Sequence, residues 1–174
     1  GTNSGSSVAA YEMWKNSIYK GKSSVVNGEF SFEFIVPQDI SYEYGQARFS
    51  YYAENGLDDA NGYNESVLIG GINSNALADN EGPIIELFLN DESFVSGGLT
   101  DENPSLLAKI FDESGINTVG NGIGHNIEVY LDDNTSESII LNDQYESDLD
   151  TYKSGQINYQ LSELSEGNHS LTLK

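Results

Sequence analysis

The 174-residue sequence contains no cysteine, which excludes disulfide bonds, thiolate metal sites and cysteine nucleophiles within it. It has only three prolines, one tryptophan and one methionine, and no apolar run approaches the ~18–20 residues of a membrane-spanning helix. Cations are also scarce, because seven Lys and Arg stand against 28 Asp and Glu, a formal net charge of −21. A surface of this charge repels DNA, RNA and anionic lipid, so nucleic acid is not expected as a partner.

Residue types that favour strands and turns are abundant instead. The sequence has 11 Tyr, 7 Phe and 18 Gly, a composition that favours strands joined by tight turns. The clearest alternation is Glu29–Val36, which places Phe30, Phe32 and Phe34 on one face directly after the hairpin signal Asn27-Gly28. Helical periodicity is weak, so the sequence predicts an all-β protein.

Short strand-like segments recur along both halves of the chain. Further strands are predicted at 17–26, 46–54, 65–72, 84–89, 106–111, 127–131, 138–141, 156–161 and 170–173, a loop at 55–64, and short helical turns at 11–15 and 148–153. A small, polar stretch that ends in Gly82-Pro83 separates the halves. We therefore expect two immunoglobulin-like β-sandwich domains in tandem.

The expected domains occupy residues 11–80 and 83–174, after a polar leader at 1–10 that we expect to be disordered. We expect the first domain to be incomplete at its start and the second to lack its last strand, since the sequence stops at Leu-Thr-Leu-Lys in mid-strand. An edge at Ser170–Lys174 without a neighbour exposes backbone donors and acceptors, which favours a dimer formed by strand addition.

The most unusual segment is 114–126, Ser-Gly-Ile-Asn-Thr-Val-Gly-Asn-Gly-Ile-Gly-His-Asn, with four glycines and three asparagines in thirteen residues. Glycine and asparagine tolerate positive φ, so several turns are expected here. The apolar residues Ile116, Val119 and Ile123 lie within this run. We therefore expect an ordered loop that folds back on its domain, with Ile116 or Ile123 at least partly buried.

No catalytic residue is assigned from the sequence. His125 and His169 are the only histidines, and no Gly-x-Ser-x-Gly elbow accompanies them. Two histidines far apart in the chain make a poor zinc site. The Gly120-x-Gly122-x-Gly124 spacing precedes a strand rather than a helix, so it does not indicate dinucleotide binding.

Calcium is the one cofactor for which candidate ligands exist, because it takes hard oxygen ligands on loops. The weak candidates are Asp79, Asn80, Asp132 and Asp133, and the further acidic turns are Asp58, Asp59, Asn61, Asn64, Glu81 and Asn134. Solvated acidic turns are the alternative interpretation, so no cofactor is predicted and calcium stays open. Exposed aromatics leave a glycan platform as a second alternative to core packing, the residues being Trp14, Tyr42, Tyr44, Tyr51, Tyr52 and Tyr63.

Several segments of the chain carry a family resemblance. They are Asn90–Gly98, Asn103-Pro104, Asp112–His125, Leu141–Glu146 and Leu164–His169, and more loosely 18–21, 27–32 and 36–40. They resemble the region that follows the peptidase domain in PorU-like sortases of the type IX secretion system, which are gingipain-like cysteine peptidases. The resemblance covers roughly residues 14–174 and is specific from residue 83 onwards.

The resemblance implies a parent whose caspase-like domain uses a Cys and His pair to cut C-terminal sorting signals from secreted cargo. It implies attachment of that cargo to an anionic lipopolysaccharide, at the outer-membrane surface of a Gram-negative bacterium. This chain has no cysteine, so no catalytic residue of the family maps onto it, and we expect a non-catalytic accessory region. Its expected partners are its own peptidase domain and other secretion-system proteins. The alternative is a calcium- or glycan-binding module of a secreted bacterial surface protein.

Overall fold

The structure is a computed structural model that describes residues 17–37, 40, 44–76, 79–120 and 126–174. The strands of these residues are β1 (Gly21–Lys22), β2 (Gly45–Glu54), β3 (Asp59–Ile69), β4 (Ile84–Leu89), β5 (Ser105–Phe111), β6 (Glu128–Leu131), β7 (Ile139–Ile140), β8 (Tyr145–Leu149), β9 (Ser154–Gln160) and β10 (Leu171–Leu173). One 3-10 helix, Asn142–Gln144, is the only helix among them. The predicted all-β class is therefore confirmed. No helix of this described part has the length and apolar character needed to span a membrane.

The second half of the chain forms a β-sandwich. One sheet has the order β1-β8-β9-β5-β4 and the other has the order β10-β6-β7. Apart from the β1 and β8 pair, all neighbours in both sheets are antiparallel. A single hydrophobic cluster draws residues from both sheets, so the sheets pack face to face on one core.

Alternation explains how β5 supplies the centre of this core. Leu106, Ala108 and Ile110 are buried, while the residues between them are only partly covered. Ile157 of β9 packs beside these residues in the same sheet, and Val129 of β6 packs against them from the opposite sheet. Both side chains are fully buried. Each such side chain contributes about 1.5–3 kcal/mol through its removal from water.

The first half differs from this arrangement. Strands β2 and β3 form an antiparallel two-stranded sheet with an irregular register between Ala47 and Phe49. No described residue before Pro104 is buried. A second sandwich at 11–80 is therefore not confirmed, since residues 17–76 show a hairpin and a short strand that joins the sheet of the second half.

Several local predictions need correction. The loop predicted at 55–64 is shorter than expected, because strand β3 already begins at Asp59, and the turn before it is closed by the Asn55 side chain, which accepts N–H groups from Leu57 and Asp58. The Gly, Asp and Asn residues of 59–64 suggested a loop, but an exposed hairpin strand does not require an apolar face. The short turn predicted at 148–153 is present, but it is a β-turn that follows β8 rather than a helical turn, since β8 runs to Leu149 and the Thr151 N–H donates to Asp148 O at 3.5 Å.

The Asn27-Gly28 turn is confirmed. Both residues have positive φ, 55° and 81°, as a type I′ hairpin turn requires. Val26 and Glu29 exchange two backbone hydrogen bonds across it. The segment 30–36 that follows forms no ladder within the described residues, so the strand predicted at 29–36 is not confirmed. The predicted leader at 1–10 and the predicted turn at 11–15 lie outside the described residues.

Candidate functional site

The first half is attached to the sandwich by a short strap, residues Tyr19–Ser24. Its strand β1 lies parallel to β8 at the end of the five-stranded sheet, with Gly21 opposite Ser147. Backbone hydrogen bonds run from Ser147 N to Lys20 O at 2.9 Å and from Asp150 N to Lys22 O at 3.0 Å. The strap is therefore an added strand on the β8 edge of the sandwich.

Asp150 clamps the far end of this strap. Its carboxylate accepts hydrogen bonds from the Ser24 N–H at 2.7 Å, from the Ser24 hydroxyl at 2.6 Å and from the Ser23 hydroxyl at 3.3 Å. Asp150 itself has φ +60°, a conformation that Asp tolerates better than most residues. The Ser24 hydrogen bonds lower the pKa of the Asp150 carboxyl, because they favour its charged form.

Two lysines of the strap share one carboxylate of β8. Lys22 Nζ lies 2.7 Å and Lys20 Nζ lies 3.9 Å from the Glu146 carboxylate. The contact with Glu146 raises the pKa of Lys22. The two ammonium groups are exposed, so the pairs orient the strap more than they stabilise it.

Beneath the strap lies a tight polar pocket around Tyr145 and Ser147, both of them buried. Burial raises the pKa of Tyr145 to about 12, and the nearby Ser147 hydroxyl opposes the shift in part. The Tyr145 hydroxyl makes no hydrogen bond of good geometry to any described residue. Gly155 is required beside it, because a Cβ there would lie 2.5 Å from both the Glu146 carbonyl oxygen and the Tyr145 hydroxyl.

An aromatic face extends from the strap across the first half; its members are Tyr19, Phe30, Phe32, Phe34, Phe49 and Tyr51. The ring pairs Phe30–Tyr51 and Phe32–Phe49 lie 5.5 and 5.7 Å apart between centroids, within the range of favourable aromatic contacts, although 30–36 forms no ladder with β2. These rings line an open groove of about 790 Å³. Phe30 is still 48% exposed, so the face is only partly covered within the described residues.

The glycine-rich loop reaches the same groove. Val119 is 1% exposed and lines the groove, and Ile116 packs against the sandwich core. Asn142 ties the loop down, since its amide donates to Thr118 O at 3.0 Å and its Oδ1 accepts the Ile127 N–H at 3.0 Å. The prediction of a folded loop with Ile116 partly buried is confirmed for residues 115–120. Ile123 and His125 lie outside the described residues.

A second polar cluster joins residues that the sequence left apart. His169 Nδ1 lies 2.8 Å from Asp132 Oδ2, and His169 Nε2 lies 3.4 Å from the Ser165 hydroxyl. This Ser, His and Asp grouping has the residue types of a nucleophilic triad. However, Nε2 lies closer, at 2.8 Å, to the backbone oxygen of Ser165.

The protonation of His169 decides what this cluster does. Both ring nitrogens lie within hydrogen-bond distance of acceptor oxygens, an arrangement that favours the protonated ring. The Asp132 carboxylate and the Ser165 carbonyl raise the pKa of His169, in agreement with the lowered pKa of Asp132. An imidazolium cannot take a proton from the Ser165 hydroxyl. The cluster is therefore a clamp on the start of β10, where Asp132 also accepts the Ser170 N–H at 2.9 Å.

The calcium candidates are not brought together. Among the described residues, no group of three or more His, Cys, Asp or Glu side chains is arranged to hold a metal ion. Asp132 is engaged by His169 and Ser170, and Asp79 Oδ1 accepts the Glu81 N–H at 3.0 Å. Asp133 follows Asp132 in the same positive-φ turn. Of the glycan candidates, Tyr51 belongs to the aromatic face, whereas Trp14 and Tyr42 lie outside the described residues.

Sequence reasoning missed the strap clamp and the buried Tyr145 pocket. Asp150 lies 126 residues from Ser24 in the chain, so no local pattern reveals their contact. No strand was predicted at β8, although its residues from Tyr145 to Ser147 alternate between buried and half-buried. The sequence signal for this arrangement is that the polar residue Ser147 lies two positions after Tyr145, and such a spacing is too common to be specific.

Comparison with known proteins is informative for the solved structures. No family model matches the chain, and no curated protein matches it. Among solved structures, the chain is similar to dimeric latent PorU from Porphyromonas gingivalis, with 34% sequence identity and a TM-score of 0.52. The match covers 86% of this chain and 14% of that one, so the chain spans a small part of PorU's length.

Proposed function

Because this chain is PorU-like over 86% of its residues, we propose that it is a non-catalytic accessory β-region of a larger gingipain-like cysteine peptidase. The parent cleaves C-terminal sorting signals of secreted cargo at the outer-membrane surface of a Gram-negative bacterium. The match to PorU carries this proposal: it covers most of this chain but 14% of PorU, a proportion typical of one region within a multidomain protein.

The chemistry of the described residues supports a structural role. The chain has no cysteine, and in its Ser165, His169 and Asp132 grouping both ring nitrogens of His169 lie next to acceptor oxygens, which favours the charged imidazole. By contrast, the strap and its Asp150 clamp fix how the first half enters the sandwich. A region with these properties positions neighbouring domains rather than reacting with substrate.

Strand order supports an immunoglobulin-like assignment for the second half. The sheets run β4-β5-β9-β8 and β7-β6-β10, which corresponds to the immunoglobulin order A-B-E-D and C′-C-F. Domains of this class commonly serve as rigid spacers with binding loops at their ends. We assign residues 83–174 to such a spacer.

The proposed docking partners follow from the proposed parent protein and from the net charge of this chain. We propose that the region docks on its own peptidase domain and on other secretion-system proteins, at sites that are neutral or basic, since the chain carries −21. The solved PorU structure is described as dimeric, and we propose self-association for the parent of this chain as well. No contact among the residues that the structure describes favours the alternative of a calcium- or glycan-binding module.

Two measurements test the proposal. The isolated chain is incubated with a peptide that carries a C-terminal sorting signal, and no cleavage is expected; turnover that the Ser165→Ala variant abolishes would contradict the non-catalytic role. The gene is then sequenced upstream of this segment, where a caspase-like domain with a Cys and His pair is expected. An upstream region of another class would refute the peptidase parent.

Alternative ligands are tested by calorimetry. Calcium chloride and neutral oligosaccharides are titrated into the chain, with the Asp132→Asn variant as a control for the acidic turn at the end of β6. The accessory role predicts neither heat nor a shift in melting temperature. A calcium response that this variant removes would favour the binding-module alternative instead.

A further inference from the structure

The chain contains four Asn-Gly dipeptides, the sequence in which an asparagine side chain is chemically least stable. They are Asn27-Gly28, Asn55-Gly56, Asn61-Gly62 and Asn121-Gly122, and the last lies outside the described residues. In the reaction of such a pair, the backbone nitrogen after the asparagine attacks the side-chain carbonyl carbon and ammonia leaves. Glycine favours this attack because it has no Cβ and its backbone is unrestricted. The sequence by itself does not distinguish the four pairs.

The contacts around Asn55-Gly56 oppose the reaction. The Gly56 N–H donates to the Glu54 carboxylate at 2.9 Å, so the nitrogen that would attack is engaged. The Asn55 Oδ1 accepts the Leu57 N–H at 2.9 Å and the Asp58 N–H at 2.8 Å, so the side-chain amide is engaged as well. These hydrogen bonds have to break before the two groups of the pair can react, which slows the reaction.

The pair Asn61-Gly62 is held within strand β3, where Gly62 lies opposite Tyr51. At the turn of this hairpin the Asn55 N–H donates to Asp58 O at 3.2 Å. Hydrogen-bonded pairs recur at every second position of an antiparallel ladder, so Gly62 and Tyr51 form such a pair. The Gly62 nitrogen is therefore engaged by the ladder, and this asparagine is protected too.

The pair Asn27-Gly28 lacks both kinds of protection. Val26 and Glu29 exchange the hydrogen bonds that close this hairpin, at 2.9 and 3.1 Å, and the two turn residues lie outside them. Both turn residues are exposed, and within the described residues neither the Gly28 N–H nor the Asn27 side chain makes a hydrogen bond. No described atom lies within 4 Å of the position that a Cβ on Gly28 would take. The attacking nitrogen and the amide are thus both available.

We propose that Asn27 is the deamidation site among the described residues, converted without an enzyme into aspartate and isoaspartate. The Gly28 nitrogen loses its proton and bonds to Asn27 Cγ, and the side-chain nitrogen leaves as ammonia, which gives a succinimide ring. Water then opens the ring at either of its two carbonyl carbons. One product is aspartate, and in the other the chain continues through the side chain as isoaspartate. This proposal is independent of the proposed parent protein.

The modification alters the junction between the strap and the aromatic face. The hairpin connects the two, and the Ser23 hydroxyl donates to Ser31 O at 2.5 Å across it. Isoaspartate adds one backbone atom to a two-residue turn whose geometry depends on φ values of 55° and 81°. The Val26 and Glu29 pair should therefore open in that product, whereas aspartate keeps the backbone and adds only a charge.

Peptide mapping by mass spectrometry measures the reaction at each asparagine in one sample. The folded chain is incubated at mildly alkaline pH and physiological temperature, and Asn27 should convert several-fold faster than Asn55 and Asn61. In denaturant the three should convert at similar rates, because each is then an unstructured Asn-Gly pair. Equal rates at the three sites in the folded chain, or conversion of Asn27 that denaturant accelerates as strongly as that of Asn55, would overturn the proposal.

The effect on the hairpin is measured by amide hydrogen exchange at Glu29. Exchange should be several-fold faster in the isoaspartate fraction of aged protein than in fresh protein. The matched control is Asn27→Asp, which carries the new charge on an unaltered backbone and should exchange like fresh protein. An isoaspartate fraction with an unchanged Glu29 rate would overturn the effect on the junction, and the peptide map would still decide the site of modification.

Discussion

The two halves of this molecule bury their hydrophobic residues to very different degrees. In the second half, Leu106, Leu141 and Ile157 are fully buried between two sheets, whereas no described residue before Pro104 is buried at all. The first half instead lines up aromatic rings on a face that water still reaches, with Phe30 at 48% exposure. The hydrophobic core of the described structure therefore lies in the second half, and the strap pairs the first half with it.

Truncating one side chain in each half tests this contrast most strongly. Ile157→Ala removes fully buried atoms from the centre of the sandwich and should lower the free energy of unfolding by about 2–5 kcal/mol. Phe30→Ala removes a half-exposed ring and should cost about 1 kcal/mol or less. Chemical denaturation of both variants measures the two costs. Equal costs would show that the aromatic face is a core in its own right.

Two glycine-to-alanine substitutions, one in each half, test the same difference in packing. Gly155→Ala forces a methyl group to 2.5 Å from the Glu146 backbone oxygen and should cost about 1–3 kcal/mol. Gly62→Ala, in the hairpin strand β3, meets nothing within 4 Å and should be neutral or stabilising by about 0.4–1 kcal/mol. Thermal melts of the pair give the comparison directly. A destabilising effect of Gly62→Ala would contradict the contrast, because it would show that the β3 hairpin is closely packed at this position.

The elements of the second half could be predicted from sequence because burial on one face leaves a pattern. Strands β4 and β5 were placed to within one residue, and an apolar residue recurs on the covered face of each. Strand β8 does not show this pattern, because its buried residue Ser147 is polar. The strap and Gly155 lie on either side of Ser147 and cover it. Burial of a small polar group between distant segments leaves no periodic signal.

The candidate site was predictable only in part for the same reason. Ile116 and Val119 stood out because apolar side chains inside a glycine-rich run need a surface to cover. The contacts of Asp150 with Ser24 and of Asp132 with His169 join residues 126 and 37 positions apart. Such contacts follow from strand order, and strand order in a sandwich is not encoded in any single segment.

The strap offers the next test, because it is where the two halves meet. Asp150→Asn weakens the bonds that hold Ser23 and Ser24, so amide hydrogen exchange at Ser24 should become several-fold faster while exchange in β9 stays unchanged. The exposed Asp143→Asn serves as the matched control. Unchanged exchange at Ser24 would show that β1 pairing alone holds the first half.

The same clamp should respond to acid. The pKa of Asp150 is lowered in the folded chain, so its stabilising effect is present above the ordinary carboxyl value of about 3.9. It is lost as pH falls through the lowered folded pKa. Exchange at Ser24 should therefore remain slow at mildly acidic pH, after correction for intrinsic rates, and the wild-type chain should approach the Asp150→Asn variant only below the usual range of carboxyl titration.

The smallest expected effect concerns His169, which ties β10 to the sandwich as Asp150 ties the strap. Its folded pKa is raised by Asp132, so its contribution is complete below the ordinary histidine value of about 6.5 and is lost as pH rises through the folded pKa. A proton NMR titration of the His169 ring should give a pKa above that of a free histidine, and Asp132→Asn should return it towards the free value. A pKa at or below the free value would remove the imidazolium on which the clamp depends. It would also restore a basic nitrogen next to Ser165, and with it the case for testing this hairpin for hydrolytic activity.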